Sequence, residues 1–488
     1  MTFDSTKSTR RSFLQSSAGA ATTAIVTPYI FSSAQPVRAQ APSDRLRMGC
    51  IGVGSMGKGD AGGFNRLVDI VAVCDVDASH LDEAQNKFGF GKKDADGKTI
   101  PPDAYKDYRK VLERQDIDVV SVVTVDHWHV KIAIEALQAG KHVFCQKPLT
   151  LTVEENKLIR AACKKYNKTF TVGTQQRTEV ERFMTAVLMI QKGFLGDIKH
   201  IVADIGGSPT CGAIPKAEVP AELDWELWQG QTPSVEYIAT SQMGGERGKA
   251  AWPVNSRTHY EYRWWYEYSG GKFTDWGAHH IDIALWAIDQ QKDGDGPVSF
   301  NPIIAEHPVE FKDGYPVQTD RYNSSHKFDI ECKFANGIVM NVVSHSPDGN
   351  GVLFEGTKGK IHVSRGRLKG KPFEDIGGKL NDRGGSVAYR DMPELQKALP
   401  WEDYVKLFKG KQPEGHKQNF IRCIKEGGLT ISDVTSHLQT MNSCHLCCIA
   451  ARLNREIKWD PKTETIVGDA NASTFLSRER RKGYEIPS

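Results

Sequence analysis

The feature that most restricts this fold is the hexapeptide Gly52-Val53-Gly54-Ser55-Met56-Gly57, which directly follows an apolar run at 46–51 and precedes a helix-like segment. In a strand–turn–helix setting each glycine has its own reason. The first permits the tight turn, the second lets a pyrophosphate approach the backbone, and the third lets the helix pack close to the strand. Ser55 and Met56 complete the loop, and the helix N-terminus behind it favours an anion. A second β-branched run, 68–74, ends immediately before Asp75. A carboxylate there accepts hydrogen bonds from an adenosine ribose and disfavours a 2′-phosphate. Val76 adds no positive charge, so the expected cofactor is NAD rather than NADP.

The rest of the first part keeps that rhythm. Strands are expected at 117–125, 142–145 and 170–172, and helices at 130–139 and 154–166. This predicts an α/β chain whose N-terminal domain, 45–174, is a doubly wound parallel Rossmann sheet. Beyond 175 the texture changes. A helix at 180–192 and a strand at 198–205 lead into an irregular Pro-, Gly- and Trp-rich stretch at 206–257. A helix at 276–288 and strands at 327–334, 338–344 and 359–363 follow. The expectation is a C-terminal α+β domain, 175–455, with a large, mostly antiparallel open sheet. Helices at 413–426 and 432–453 and an extended tail at 456–488 complete it; the second helix reads as amphipathic.

The chain of 488 residues has a formal net charge of +3, which points to no nucleic-acid partner. Its ten cysteines are scattered, many in apolar runs, and read as small buried hydrophobes rather than disulfide partners. Cys444, Cys447 and Cys448 lack a second ligand pair, so no metal site is expected. Residues 1–41 carry paired Arg10-Arg11, a modest apolar run at 18–31 and a small-residue Ala39-Gln40-Ala41. That is the pattern of a twin-arginine leader, read by the twin-arginine export machinery. It implies a periplasmic mature protein with no membrane-spanning segment.

A family resemblance emerges at Gln146-Lys147-Pro148, a variant of an E-K-P motif, and Asp275-x-x-x-His279 followed by Ile281-Asp282. With the glycine loop before them in order, these motifs resemble the Gfo/Idh/MocA family of glucose–fructose oxidoreductases and inositol dehydrogenases, over about residues 45 to 455. The resemblance implies a nicotinamide-dependent enzyme acting on a sugar or polyol, packed as a homodimer or homotetramer. It implies that Lys147 touches the nicotinamide region and the reacting hydroxyl. Asp275 and His279 lie beside the substrate, and Thr124 and His129 line the cofactor. Gln146 stands where the family usually has glutamate; its amide could still hydrogen-bond the cofactor.

The residues support alcohol oxidation on their own chemistry. Asp275 and His279 stand four apart on an expected helix, hence on one face, so the carboxylate could orient the imidazole. His279 would act as general acid/base and Lys147 would stabilise a developing alkoxide. Arg177, Trp264 and His280 are candidate substrate contacts. Two other functions remain open: a glycoside-cleaving or epimerising enzyme that oxidises its sugar only transiently, and a non-catalytic sugar or NAD sensor. N-terminal sequencing of the exported protein should find a cut after Ala39 or Ala41.

Overall fold

A computed structural model describes residues 45–87, 89–245 and 251–487. The leader at 1–41 lies outside the described residues. No described helix is long and apolar enough to cross a membrane.

The N-terminal sheet has six strands: β1 (Arg47–Ile51), β2 (Asp69–Cys74), β3 (Asp103–Tyr105), β4 (Val119–Val122), β5 (His142–Cys145) and β6 (Phe170–Val172). Their order is β3-β2-β1-β4-β5-β6, and every neighbouring pair is parallel. β4 is buried along its whole length, as an apolar run in the middle of a parallel sheet must be. The crossovers include α1 (Ser55–Phe64), α2 (His129–Gln138) and α3 (Val153–Tyr166). Gly140, at φ +77°, follows α2 in the left-handed conformation that ends helices. The Thr152 hydroxyl caps α3 by accepting from Glu155 N at 3.3 Å.

The second part builds a nine-stranded sheet from β7 (Ile198–Asp204), β8 (Pro297–Glu306), β9 (Lys327–Phe334), β10 (Val339–Val343), β11 (Gly351–Gly356), β12 (Gly359–Val363), β13 (Leu368–Lys369), β14 (Ile457–Asp460) and β15 (Thr465–Ile466). The order is β13-β12-β11-β7-β10-β9-β8-β14-β15. Only β7 and β10 run parallel. The expected α/β architecture with a mostly antiparallel second sheet is therefore present. The residues after 456 are not simply extended: β14 pairs with β8 through Ser299 and Lys458, so the tail begins as a sheet strand.

The helices between are α4 (Thr185–Gln191), α5 (Gly277–Ala287), α6 (His416–Glu426) and α7 (Val434–Leu453). Instead of one helix from 180, a π-helical turn, Val180–Met184, leads into α4. The helix α7 is not amphipathic in place. It is buried continuously from His437 to Ala451, because it runs between α3, α5 and β8. Its polar side chains find internal partners: Asn442 accepts from Asn156 at 2.7 Å, and the His445 ring meets the Thr150 hydroxyl at 3.0 Å. Such pairing is what makes buried polar groups tolerable.

α6 belongs spatially to the first sheet although it lies late in the sequence. Phe420 and Ile421 pack with Met48, Val119 and Phe144. The Phe420 ring sits 6.3 Å from Phe64 and 6.1 Å from Phe144. Phe420→Ala should cost about 3–5 kcal/mol by leaving a cavity under the Rossmann sheet, read as a lower urea midpoint with an unchanged slope.

Candidate active site

The glycine loop is required by its surroundings. Gly52 has φ +81°, and a Cβ there would meet Val123 O at 2.4 Å. A Cβ on Gly57 would lie 2.0 Å from Gly52 O. The second glycine has a reason not evident from the motif: a Cβ on Gly54 would press on the His80 ring, 3.2 Å away. No side chain caps the first turn of α1, so its amides are left for an anion. Asp75 sits at the end of β2, accepting from Val53 N at 2.8 Å and Asp77 N at 3.0 Å. Burial would raise its pKa, but His80 and these amides outweigh that and hold it below the usual carboxylate value.

These residues line an open cleft. Its floor includes Gly52, Gly54, Ser55, Met56, Gly57, Asp75 and Thr124. Its roof comes from the second domain, including Leu223, Trp228, His259 and Arg263. Backbone bonds stitch this roof to the β2 loop: Ala78 N to Glu222 O at 2.9 Å and Asp224 N to Val76 O at 3.0 Å. The C-terminal residues hold it from outside. Arg481 donates to Gly230 O at 2.6 Å, and Lys131 donates to Glu485 O at 2.7 Å. The open helix N-terminus, the space above the glycines and Asp75 fit a dinucleotide. At the Asp75 end, Asp77, His80 and His259 bring donor atoms within 4.8 Å of one another, close enough to hold a cation.

At the other end Lys147 follows β5, and its ammonium crosses to the second domain. Its Nζ donates to Asp275 Oδ1 at 2.6 Å and to Asp275 O at 2.9 Å. Arg263 Nε and Lys272 Nζ each lie 3.7 Å from the same carboxylate. Burial opposes the charge on Asp275, but Lys147, Arg263 and Lys272 together hold its pKa well below the carboxylate range. Arg263 also lines the cofactor cleft, so the cleft and this cluster are continuous.

The expected pairing of Asp275 with His279 does not form. Asp275 ends a short helix, Lys272–Asp275, and His279 belongs to α5, which starts afresh at Gly277. The carboxylate turns to three cations instead. His279 is 3% exposed and its Nδ1 has no hydrogen-bond partner. Burial, reinforced by Lys147 and Arg365, pushes its pKa well below the ordinary imidazole value, so the ring is neutral. With its amide oriented to suit its neighbours, Gln176 donates to His279 O at 3.1 Å and accepts from Arg365 Nε at 3.3 Å.

Several other expected contacts are structural. The Arg177 guanidinium is 1% exposed and fully engaged, with Nε and Nη2 each 2.7 Å from the Asp282 carboxylate. His280 is fully buried, its Nδ1 on Asp204 O at 2.8 Å. Trp264 is 2% exposed, with Lys272 over its ring at 5.4 Å, so it offers no open stacking face. His129 bridges Pro148 O at 2.7 Å and Thr124 O at 3.1 Å; it positions the Lys147 turn and does not line the cleft. The Gln146 amide points at α1, donating to Asp60 Oδ2 at 2.7 Å while accepting from Lys147 N at 3.1 Å. Arg263, Lys272, Gln176 and Arg365 went unread in the sequence. Lys272, three residues before Asp275, was the one with a local signal. All ten cysteines are free, and the three in α7 are packed in the core.

The family model described as "Oxidoreductase family, NAD-binding Rossmann fold" matches residues 46–174. A protein of Shewanella pealeana named "Glycosyl hydrolase family 109 protein" is 35% identical over 211 residues, covering 40% of this chain and 45% of the relative. The "Alpha-N-acetylgalactosaminidase" of Shewanella oneidensis is 31% identical over 207 residues, covering 39% and 44%. The matched region thus spans less than half the length of these curated relatives. Among solved structures, levoglucosan dehydrogenase in complex with NADH and levoglucosan is 20% identical, with a TM-score of 0.54, covering 85% of this chain and 99% of that one. The aldose-aldose oxidoreductase of Caulobacter crescentus is 17% identical, with a TM-score of 0.53 and the same coverage. Both likenesses are of fold.

Replacing Arg177 should damage stability rather than substrate affinity. Arg177→Met strands the Asp282 carboxylate in the core and should cost about 3–5 kcal/mol in urea unfolding. A selective rise in KM at unchanged stability would return Arg177 to the substrate site.

Proposed function

We propose that this chain, whose residues 46–174 match the family model of NAD-binding Rossmann-fold oxidoreductases, is a member of the Gfo/Idh/MocA family that oxidises a secondary alcohol of a sugar or polyol with a tightly held NAD. The observation that carries this reading is Lys147, held by Asp275 and near enough to the buried His279 ring to keep it neutral, in a cluster that Arg263 joins to the cleft over the glycine loop. Bound NAD supplies the hydride acceptor. The α1 N-terminus and the glycine loop would hold its pyrophosphate, and Asp75 its ribose. The carboxylate at Asp75 supports NAD over NADP. The roof and the Arg481 clasp favour retention of the cofactor through the cycle.

The chain's own residues divide the remaining work. Lys147, aimed by the Asp275 carboxylate, neutralises charge developing on the substrate oxygen. His279, kept neutral by its surroundings, takes the hydroxyl proton. Asp275 acts on Lys147 rather than on His279. The twin-arginine leader supports export to the periplasm, where a held cofactor must be reset by a second substrate. Exposed Ile303, Ile304, Tyr315 and Val317 support burial of this region in a homo-oligomer.

The names of the curated relatives favour a second reading. The same three residues could oxidise a glycoside transiently, cleave it and restore the sugar, with no net redox change.

Mass spectrometry of the small molecules released on denaturing decides between them. After incubation with a panel of sugars, polyols and aryl glycosides, the first reading expects released NADH with one of them. The second expects NAD that stays oxidised while a glycoside is cleaved. Absence of any nicotinamide would end both. Lys147→Ala and His279→Ala should each lower kcat by about 10²-fold or more while keeping the cofactor. Because acid protonates His279 only far below its ordinary pKa, the rate should stay level down to about pH 6. A fall centred near a free imidazole's value would remove His279 as the base.

A further inference from the structure

Alcohol oxidation needs one cation at the reacting oxygen, and Lys147 provides it. The cluster holds more. Arg263 lines the cofactor cleft, but Lys272 and Arg365 do not, and neither has a task in the chemistry above. Both gather on Trp276. The Arg365 guanidinium, in the turn between β12 and β13, lies 4.6 Å from the centre of that ring, and Lys272 Nζ lies 6.0 Å from it.

The acids nearby are already committed. Asp275 is shared by Lys147, Arg263 and Lys272. Glu179 faces Arg365, but its carboxylate is bonded by Arg182. Asp126 is buried, its two oxygens bonded by the Tyr262 hydroxyl at 2.5 Å and the Ser269 hydroxyl at 2.6 Å. No carboxylate lies within 4.0 Å of Arg365 among the described residues. Burial lowers the Lys272 pKa, and repulsion from Lys147 and Arg263 adds to this against the pull of Asp275. Cations held together in a partly desolvated cleft repel unless an anion joins them.

We propose that the substrate carries an oxyanion, a carboxylate or a sulfate ester, which Lys272 and Arg365 bind against Trp276. The inference rests on the sugar-oxidising reading and names its substrate class. A guanidinium suits this group because its planar fork donates two parallel hydrogen bonds to a carboxylate or sulfate. The Trp276 ring beneath it limits the guanidinium's freedom, and Gln176 ties Arg365 to the His279 backbone. The anion would thereby set which hydroxyl is presented to His279.

The test compares matched sugars on the cofactor-loaded full chain: glucose with glucuronate, galactose with galacturonate, and N-acetylglucosamine with its 6-sulfate. Calorimetry reads binding, and released NADH reads turnover separately. The expected result is an anionic member bound about tenfold or more tighter than its neutral counterpart, with an advantage that shrinks as salt is raised. The uronate and sulfate arms tell the two oxyanions apart. Arg365→Gln and Lys272→Met should each erase most of that advantage, and Arg365→Lys should keep part of it. Arg365 is exposed, so its variants should fold. Equal or tighter binding of every neutral sugar would overturn the assignment, as would an Arg365→Gln effect of the same size on both members of a pair. An anionic sugar that binds selectively but yields no NADH would leave this assignment standing and count against the redox reading alone.

Discussion

The candidate active site depends on one ion pair that crosses between domains. Lys147 comes from the end of a Rossmann strand, and Asp275 comes from the second domain, 128 residues later. Each is about nine-tenths buried. A buried cation and a buried carboxylate are each costly alone, and each becomes tolerable through the other. The pair therefore fixes the lysine's aim and the seating of the two domains at that point together. Neither half of the molecule contains a complete site.

The cofactor cleft is built on the same plan. Its floor is local: a strand, a glycine turn and an open helix end. Its roof is the irregular stretch of the second domain, joined to the β2 loop by main-chain hydrogen bonds and held from outside by Arg481. A segment without regular structure must still satisfy its backbone, and here it does so partly by pairing across the domain boundary. A dinucleotide in this cleft would lie between the glycine-loop floor and this roof.

Charge is distributed unevenly along this cleft. Near the glycine loop the structure presents amide dipoles and the Asp75 carboxylate. At the far end it presents three cations around Asp275, with Arg365 beyond them. The electrostatics that keep Asp275 ionised also keep His279 unprotonated, because Lys147 and Arg365 act on both. In the proposed reaction, such a positive cluster would stabilise negative charge building on oxygen.

Much of the framework was legible from residues alone, because local rules dictate it. Alternating apolar runs and helical periods marked β5, β6, β9 and β12 at their observed bounds. The glycine spacing with Asp75 marked the cofactor loop, and the ordered motifs marked Lys147, Asp275 and His279. What the sequence could not decide was how polar side chains would be shared. Arg177 looked like a substrate contact until Asp282, 105 residues away, took its Nε and Nη2. Asp275 and His279 looked like partners by spacing until a helix break at Trp276 separated them. Arg365 had no local signature at all and reaches the site only because the β12–β13 turn folds over Trp276. Periodicity reports which face of an element is apolar. Which charges meet across a core depends on tertiary packing, and that packing decided the chemistry of this site.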